Sequence, residues 1–159
     1  MTTALRAILL LILVAVPLQA GGKKEGAAGI AFHLETNPGD NPKMIFTQFV
    51  AGRERVFRRV PEIGPTDIAA FNPFPSQDGD GYGVLLKLKG GPTNRLSAIT
   101  AANMGRWMIA RVNGRIVDGV IIDQQVTDGE MVIWKGIALA EINELDKRIP
   151  RIGERKPRG

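Results

Sequence analysis

The chain carries one histidine, His33, and no cysteine. Thiolate metal sites, iron–sulfur clusters, disulfides and cysteine nucleophiles all need sulfur, so these chemistries are excluded. A metal site needs several convergent donors, and His33 on an alternating apolar stretch reads instead as a polar strand residue. A Ser–His–Asp arrangement would have to use His33, and neither Ser76 nor Ser97 stands in a nucleophile-elbow sequence. Asp78-Gly79-Asp80-Gly81-Tyr82-Gly83 has the alternating Asp and the sixth-position Gly of a calcium loop. Its fifth position is Tyr82 and its twelfth is Lys89, so two ligands fail and the segment reads as a turn. Asp118 and Asp123 are a carboxylate pair of the kind a hydrolase uses, but they flank strand edges and turns, where solvation accounts for them. Trp107 and Trp134 read as core or half-exposed sheet aromatics rather than a sugar platform. No phosphate-binding or dinucleotide glycine pattern is present. The reading assigns no catalytic residue, no metal ligand and no cofactor.

The elements that must position any binding surface are mostly strands. Ile30, Phe32 and Leu34 alternate with Ala31, His33 and Glu35 before the turn-rich stretch 37–42. Met44–Val50 is a second strand candidate, and Arg53–Val60 a third. The third alternates Arg53, Arg55 and Phe57 with Glu54, Val56 and Arg58, the pattern of a solvent-facing or edge strand whose charges deter aggregation. Segment 61–68 is predicted as a connector with a short helix capped by Thr66, and 71–83 as a Gly-, Pro- and Asp-rich loop. Val84, Leu86 and Leu88 then alternate with lysines, as a half-buried strand requires. A helix is expected from Pro92-Thr93 to a stop at Gly105. Asn113-Gly114, between two apolar runs, signals a hairpin because both central residues of a type I′ turn need positive φ. Strands over 119–126 and 131–134, a turn at Asp128-Gly129, and a helix over 138–149 with Leu139, Ile142, Leu145 and Ile149 on one face complete the chain. The predicted fold class is α+β: a mostly antiparallel sheet with about two helices packed on one face.

Length and composition agree with one packed domain plus tails: 159 residues, 44% hydrophobic and 23% charged. The net charge of +5 permits an acidic partner without demanding one. Residues 1–20 have the layout of a signal peptide: Arg6, an apolar run from Ala7 to Val16, and Leu18-Gln19-Ala20 before the expected cleavage point. The run is shorter than the ~20 residues of a spanning helix. The chain is therefore expected to be exported, periplasmic or secreted. Residues 21–28 read as a flexible leader, 29–150 as the folded domain and 151–159 as a basic tail. The basic residues of that end, Lys147, Arg148, Arg151, Arg155, Lys156 and Arg158, suggest a solvated arm with weak contact to anionic lipid. No nucleic-acid partner is expected for an exported chain.

The order of these pieces resembles a known family. Val60-Pro61-Glu62-Ile63, Thr66-Asp67-Ile68, Val84–Lys89, Leu96, Thr100, Asn103, Gly105-Arg106, Asn113-Gly114-Arg115-Ile116, Asp128-Gly129 and a closing helix are together similar to the head subdomain of SecD. SecD is a subunit of the SecD/SecF auxiliary complex of bacterial protein export. The family pattern usually has Asp where Asn113 stands and commonly Gly-Gly where Asp128-Gly129 stands. The match covers about 60–149, and its motif residues (Thr100, Asn103, Gly105, Asn113, Gly114, Asp128, Gly129) are structural.

The resemblance implies contact with polypeptide emerging from an export channel, without the membrane-spanning helices that carry proton-coupled work in the family. The expectation is a non-catalytic module that engages unfolded polypeptide or an envelope or translocase protein. Arg53, Arg55, Arg58 and Arg59 are the candidate polypeptide contacts, since a charged edge strand could pair with a passing chain. A scaffold protein of an unrelated envelope pathway and a carboxylate-dependent hydrolase are the alternatives.

Overall fold

The computed structural model describes residues 29–154 of the chain. The expected signal peptide, leader and last five tail residues lie outside them. Eight strands and two helices follow in order: β1 (Ile30–Leu34), β2 (Ile45–Val50), β3 (Arg53–Arg58), β4 (Ile68–Pro75), β5 (Tyr82–Leu88), α1 (Gly90–Ala102), β6 (Trp107–Val112), β7 (Arg115–Ile121), β8 (Glu130–Ile137) and α2 (Leu139–Arg148). They form two three-stranded sheets, β1-β6-β7 and β4-β5-β8, and a two-stranded hairpin, β2-β3, with every strand pair antiparallel. The α+β expectation holds.

One core runs under both three-stranded sheets. Phe32, Leu34, Met108 and Val112 from one sheet, and Phe71, Val84, Leu86 and Ile133 from the other, bury against Leu96 of α1 and Ile142 and Leu145 of α2. Alternation places the remaining residues of β1 and β6 on the opposite face. There His33 and Ile109 are also buried, because the β2-β3 hairpin lies across that face with Phe57 fully buried. His33 meets Phe46 edge-on at 5.4 Å, and its Nδ1 sits 2.9 Å from the Arg58 carbonyl. Burial holds its pKa below the ordinary histidine value.

Three segments depart from the sequence reading, the first being the strand expected over 119–126, which instead runs from Arg115 to Ile121 and gives way to a loop at 122–129. Residues 71–75, expected in a loop, belong to β4 despite Pro73 and Pro75. β4 is a sheet edge, where a missing N–H breaks no ladder, so the prolines are compatible with a strand. The connector before it contains a single 3-10 turn, Pro65–Asp67, whose start is fixed by Gly64 N–H donating to the Asp67 carboxylate (2.8 Å) rather than by Thr66. At the C-terminal end, Arg151 bridges in parallel to Phe71 of β4 and its guanidinium pairs with Asp146 at 2.6 Å. Lys147 and Arg148 pair with Glu144. Half of the basic end is thus tied to the domain.

The β6-β7 hairpin turns at Asn113 (φ 49°) and Gly114 (φ 88°), as predicted. Its tip is fastened to α2: Asn113 Nδ2 donates to Glu141 (3.0 Å), and Arg115 pairs with the same carboxylate at 2.6 Å. Gly114→Val should therefore cost about 1–2 kcal/mol, because a β-branched side chain is forced into the left-handed region. Gly39→Val, where the backbone has no such requirement, should cost little. Equal thermal midpoints for the two variants would contradict this account of the turn.

Candidate functional site

The four arginines proposed from sequence have different surroundings: Arg53, Arg58 and Arg59 are exposed and Arg55 is not. Arg55 is drawn inward: its guanidinium pairs with Glu35 at 2.9 Å, lies 5.0 Å from the Trp107 ring centre, and keeps only 9% side-chain exposure. Arg58 pairs with Glu62 at 2.8 Å, and Arg59 donates to the carbonyls of Lys43 and Ile45. Arg53 is exposed and has no partner among the described residues. The middle of β3 is not a free edge either. β2 covers one side, and Thr36 N–H donates to the Val56 carbonyl (2.8 Å) on the other, beside a Glu35–Phe57 bridge. The sequence pattern shows alternation along the strand but not the acid twenty residues upstream that consumes Arg55.

An open strand edge does exist, between β7 and β8. These strands run side by side in opposite directions without a backbone ladder, each being the outer strand of its own sheet. At one end side chains close the seam. Asp118 accepts the Trp134 N–H at 2.7 Å with one carboxylate oxygen and the Gly119 N–H at 2.8 Å with the other, and Arg115 donates to the Gly136 carbonyl at 2.9 Å. Toward the other end the strands part. Ile122 bonds to Arg106 and Gly105 on the β6 side, so alternation turns the N–H and C=O of Ile121 toward the opening. Since Trp134 N–H points to the seam, so do the polar groups of Val132 two residues earlier.

The opening is a groove of about 340 Å³, a size in the range of small ligand sites. Its floor is core: Phe32, Leu96 and Met108. Val120 and Ile121 form one wall and Val132 and Trp134 the other. Three of these four are solvent-exposed, Trp134 by 55%, Ile121 by 48% and Val120 by 41%. Trp134 is thus a half-exposed sheet aromatic, edge-on to Phe74 with ring centres 6.0 Å apart.

The structural motif residues build the third wall, the loop 122–129. Thr100, buried on α1, donates to the Leu96 carbonyl (2.8 Å) and accepts the Val126 N–H (2.9 Å), pinning the loop to the helix. Gly129 (φ 71°) lies against Thr93, where any side chain would collide with that residue. Asp128 caps the turn by accepting the Glu130 N–H at 2.9 Å. Asn103 donates to the Ile99 carbonyl at the end of α1 (2.8 Å), and Gly105 (φ 80°) makes the exit that starts β6. The sequence reading takes Trp134 as a sheet aromatic and Val120 and Ile121 as strand residues, and gives none of the three a binding role. Their only signal is apolar side chains on both faces of strands next to polar turns.

The carboxylates weighed for chemistry are occupied or apart. Asp118 serves the seam. Asp78 accepts from Lys135, the Asp80 N–H and Ser76, in that order of effect, which together hold its pKa down to about 2, and the segment forms a turn. Among the described residues no helix is long and apolar enough to cross a membrane.

No protein-family model and no curated protein matches the sequence significantly. Solved structures do match in shape. The chain is similar to SecDF, described as a membrane component that enhances protein export, with a TM-score of 0.52 and 16% identity over 77% of this chain. A second SecDF structure, in a super-membrane-facing form, gives a TM-score of 0.50 and 16% identity over 78% of this chain. This chain spans 60% of the first structure's chain and 18% of the second's. The fold is therefore SecD-like.

Arg55→Ala should lower stability by about 2–4 kcal/mol, because it leaves Glu35 unpaired in a largely buried setting and removes the contact with Trp107. Arg53→Ala should change it by less than about 0.5 kcal/mol. Urea unfolding midpoints check the contrast, and two indistinguishable variants would contradict the structural assignment of Arg55.

Proposed function

We propose that the chain is an exported, non-catalytic module that binds extended, unfolded polypeptide in the β7–β8 groove, in connection with protein export. The observation that carries this reading is the pairing of an apolar groove with two unfilled strand edges. A folded partner offers few free backbone groups, whereas an extended segment brings both what the groove lacks: N–H and C=O groups for Ile121 and Val132, and apolar side chains for the space between Val120 and Trp134. Strand addition also needs little sequence specificity, which suits a partner defined by being unfolded.

The SecD-like fold supports the connection with export, because the similar structure belongs to a protein that enhances it. The signal-peptide layout of residues 1–20 supports an exported location. Affinity should be modest, since ordering a disordered segment offsets much of the contact energy.

Titration of the protein with a reduced, unfolded polypeptide and with its native form tests the reading. The unfolded form alone should bind, without turnover. Replacing both Val120 and Ile121 by Ser should weaken that binding at least tenfold, from about 1.5–3 kcal/mol of lost apolar burial, while leaving the thermal midpoint within a few degrees because both side chains are already exposed. Equal binding of native and unfolded forms would refute the reading, and a tight stoichiometric complex with a folded envelope protein would replace it with the scaffold alternative.

A further inference from the structure

Resting on the polypeptide reading, we infer that the groove selects extended segments in which an apolar stretch is flanked by lysine or arginine. The chain as a whole is basic, at +5, yet the groove is not. Two carboxylates, Asp123 and Glu130, line it, and among the described residues no lysine or arginine does. Both stand at the open end, where β7 and β8 have parted. Asp123 is exposed and has no partner among the described residues.

Glu130 is only partly neutralised. Lys87 Nζ approaches it at 3.2 Å and also donates to the Asp128 carbonyl at 2.8 Å. Both side chains of that pair are about 40% exposed, so water and salt screen it. The Asp128 carboxylate adds a third negative group beside it, held in place by the Glu130 N–H. Three carboxylates against one ammonium leave the mouth acidic. The cations nearest in sequence to the groove residues are engaged elsewhere: Lys135, next to Trp134, pairs with Asp78 at 2.8 Å, Arg106 donates to the Glu35 carbonyl, and Arg115 serves Glu141 and Gly136.

A segment lying as a strand between Ile121 and Val132 would continue past the apolar walls into this mouth. Its apolar side chains would fill the groove, and the next residues would meet the carboxylates. A cation there gains Coulomb energy at both Asp123 and Glu130, whereas an acidic residue faces like charge. The long aliphatic stems of Lys and Arg also suit the transition from apolar wall to charged rim. The preferred occupant is thus apolar in the middle and basic at one end.

The test uses three fluorescently labelled peptides of one length, sharing an alternating apolar centre and flanked on one side by two Lys, two Ser or two Glu residues. Against the full chain at low salt, affinity should fall in the order Lys, Ser, Glu, with about three- to tenfold between the first and last. The spread should shrink at high salt. Asp123→Lys leaves two carboxylates against two ammonium groups, so it should bring the three affinities together, with an unchanged thermal midpoint showing that the fold is intact. Three peptides binding the unaltered chain equally, or the Glu peptide binding it best, would overturn the charge preference while leaving the polypeptide reading standing. Failure of all three to bind would overturn both.

Discussion

Asp118 decides the shape of the face between β7 and β8. It sits where β7 and β8 would otherwise join the two three-stranded sheets into one, and its carboxylate takes the N–H that a backbone carbonyl would take. A side-chain bridge satisfies that donor but does not propagate, since the next residue along has no second carboxylate to offer. No backbone ladder therefore forms, and the backbone groups of Ile121 and Val132 are left facing an opening. Unpaired backbone is tolerated only where water or a ligand can reach it. The groove's exposure follows from that requirement, and the proposed strand addition rests on it.

The second constraint is Glu35, one residue past β1. One carboxylate oxygen pairs with Arg55 and the other accepts the Trp107 N–H at 2.8 Å, while its backbone bridges to Phe57. It fastens the β2-β3 hairpin to the sheet at both backbone and side-chain level. A lone two-stranded hairpin is marginal in water; this one gains stability by burying Phe57 and setting Phe46 edge-on against His33. The result is a sheet covered on both faces, with helices below and the hairpin above, which leaves the β7–β8 end as its accessible part.

Much of this architecture is written locally. Alternation marks β1 and β5, Asn113-Gly114 marks the β6-β7 hairpin, and the spacing of Ile142 and Leu145 marks α2. β4 was hidden by Pro73 and Pro75, because the compatibility of proline with an edge strand depends on where the strand lies in the sheet. The candidate site was less legible. Arg53, Arg55, Arg58 and Arg59 look like a surface patch until Glu35, Glu62 and two backbone carbonyls claim three of them. The groove is assembled from β7, β8, α1 and the loop 122–129, and its existence depends on a ladder that fails to form. No local periodicity encodes such a failure, although Thr100, Asp128 and Gly129, read as structural, do hold the loop that walls it.

Strand addition at the β7–β8 opening is the central claim, and amide hydrogen exchange resolved by residue tests it most directly. With an extended apolar peptide bound, the amides of Ile121 and Val132 should exchange markedly more slowly than in the free protein, while those on the outer edge of β2 remain unchanged. Binding that leaves Ile121 and Val132 exchanging at their free rates, or that protects β2 instead, would contradict the account.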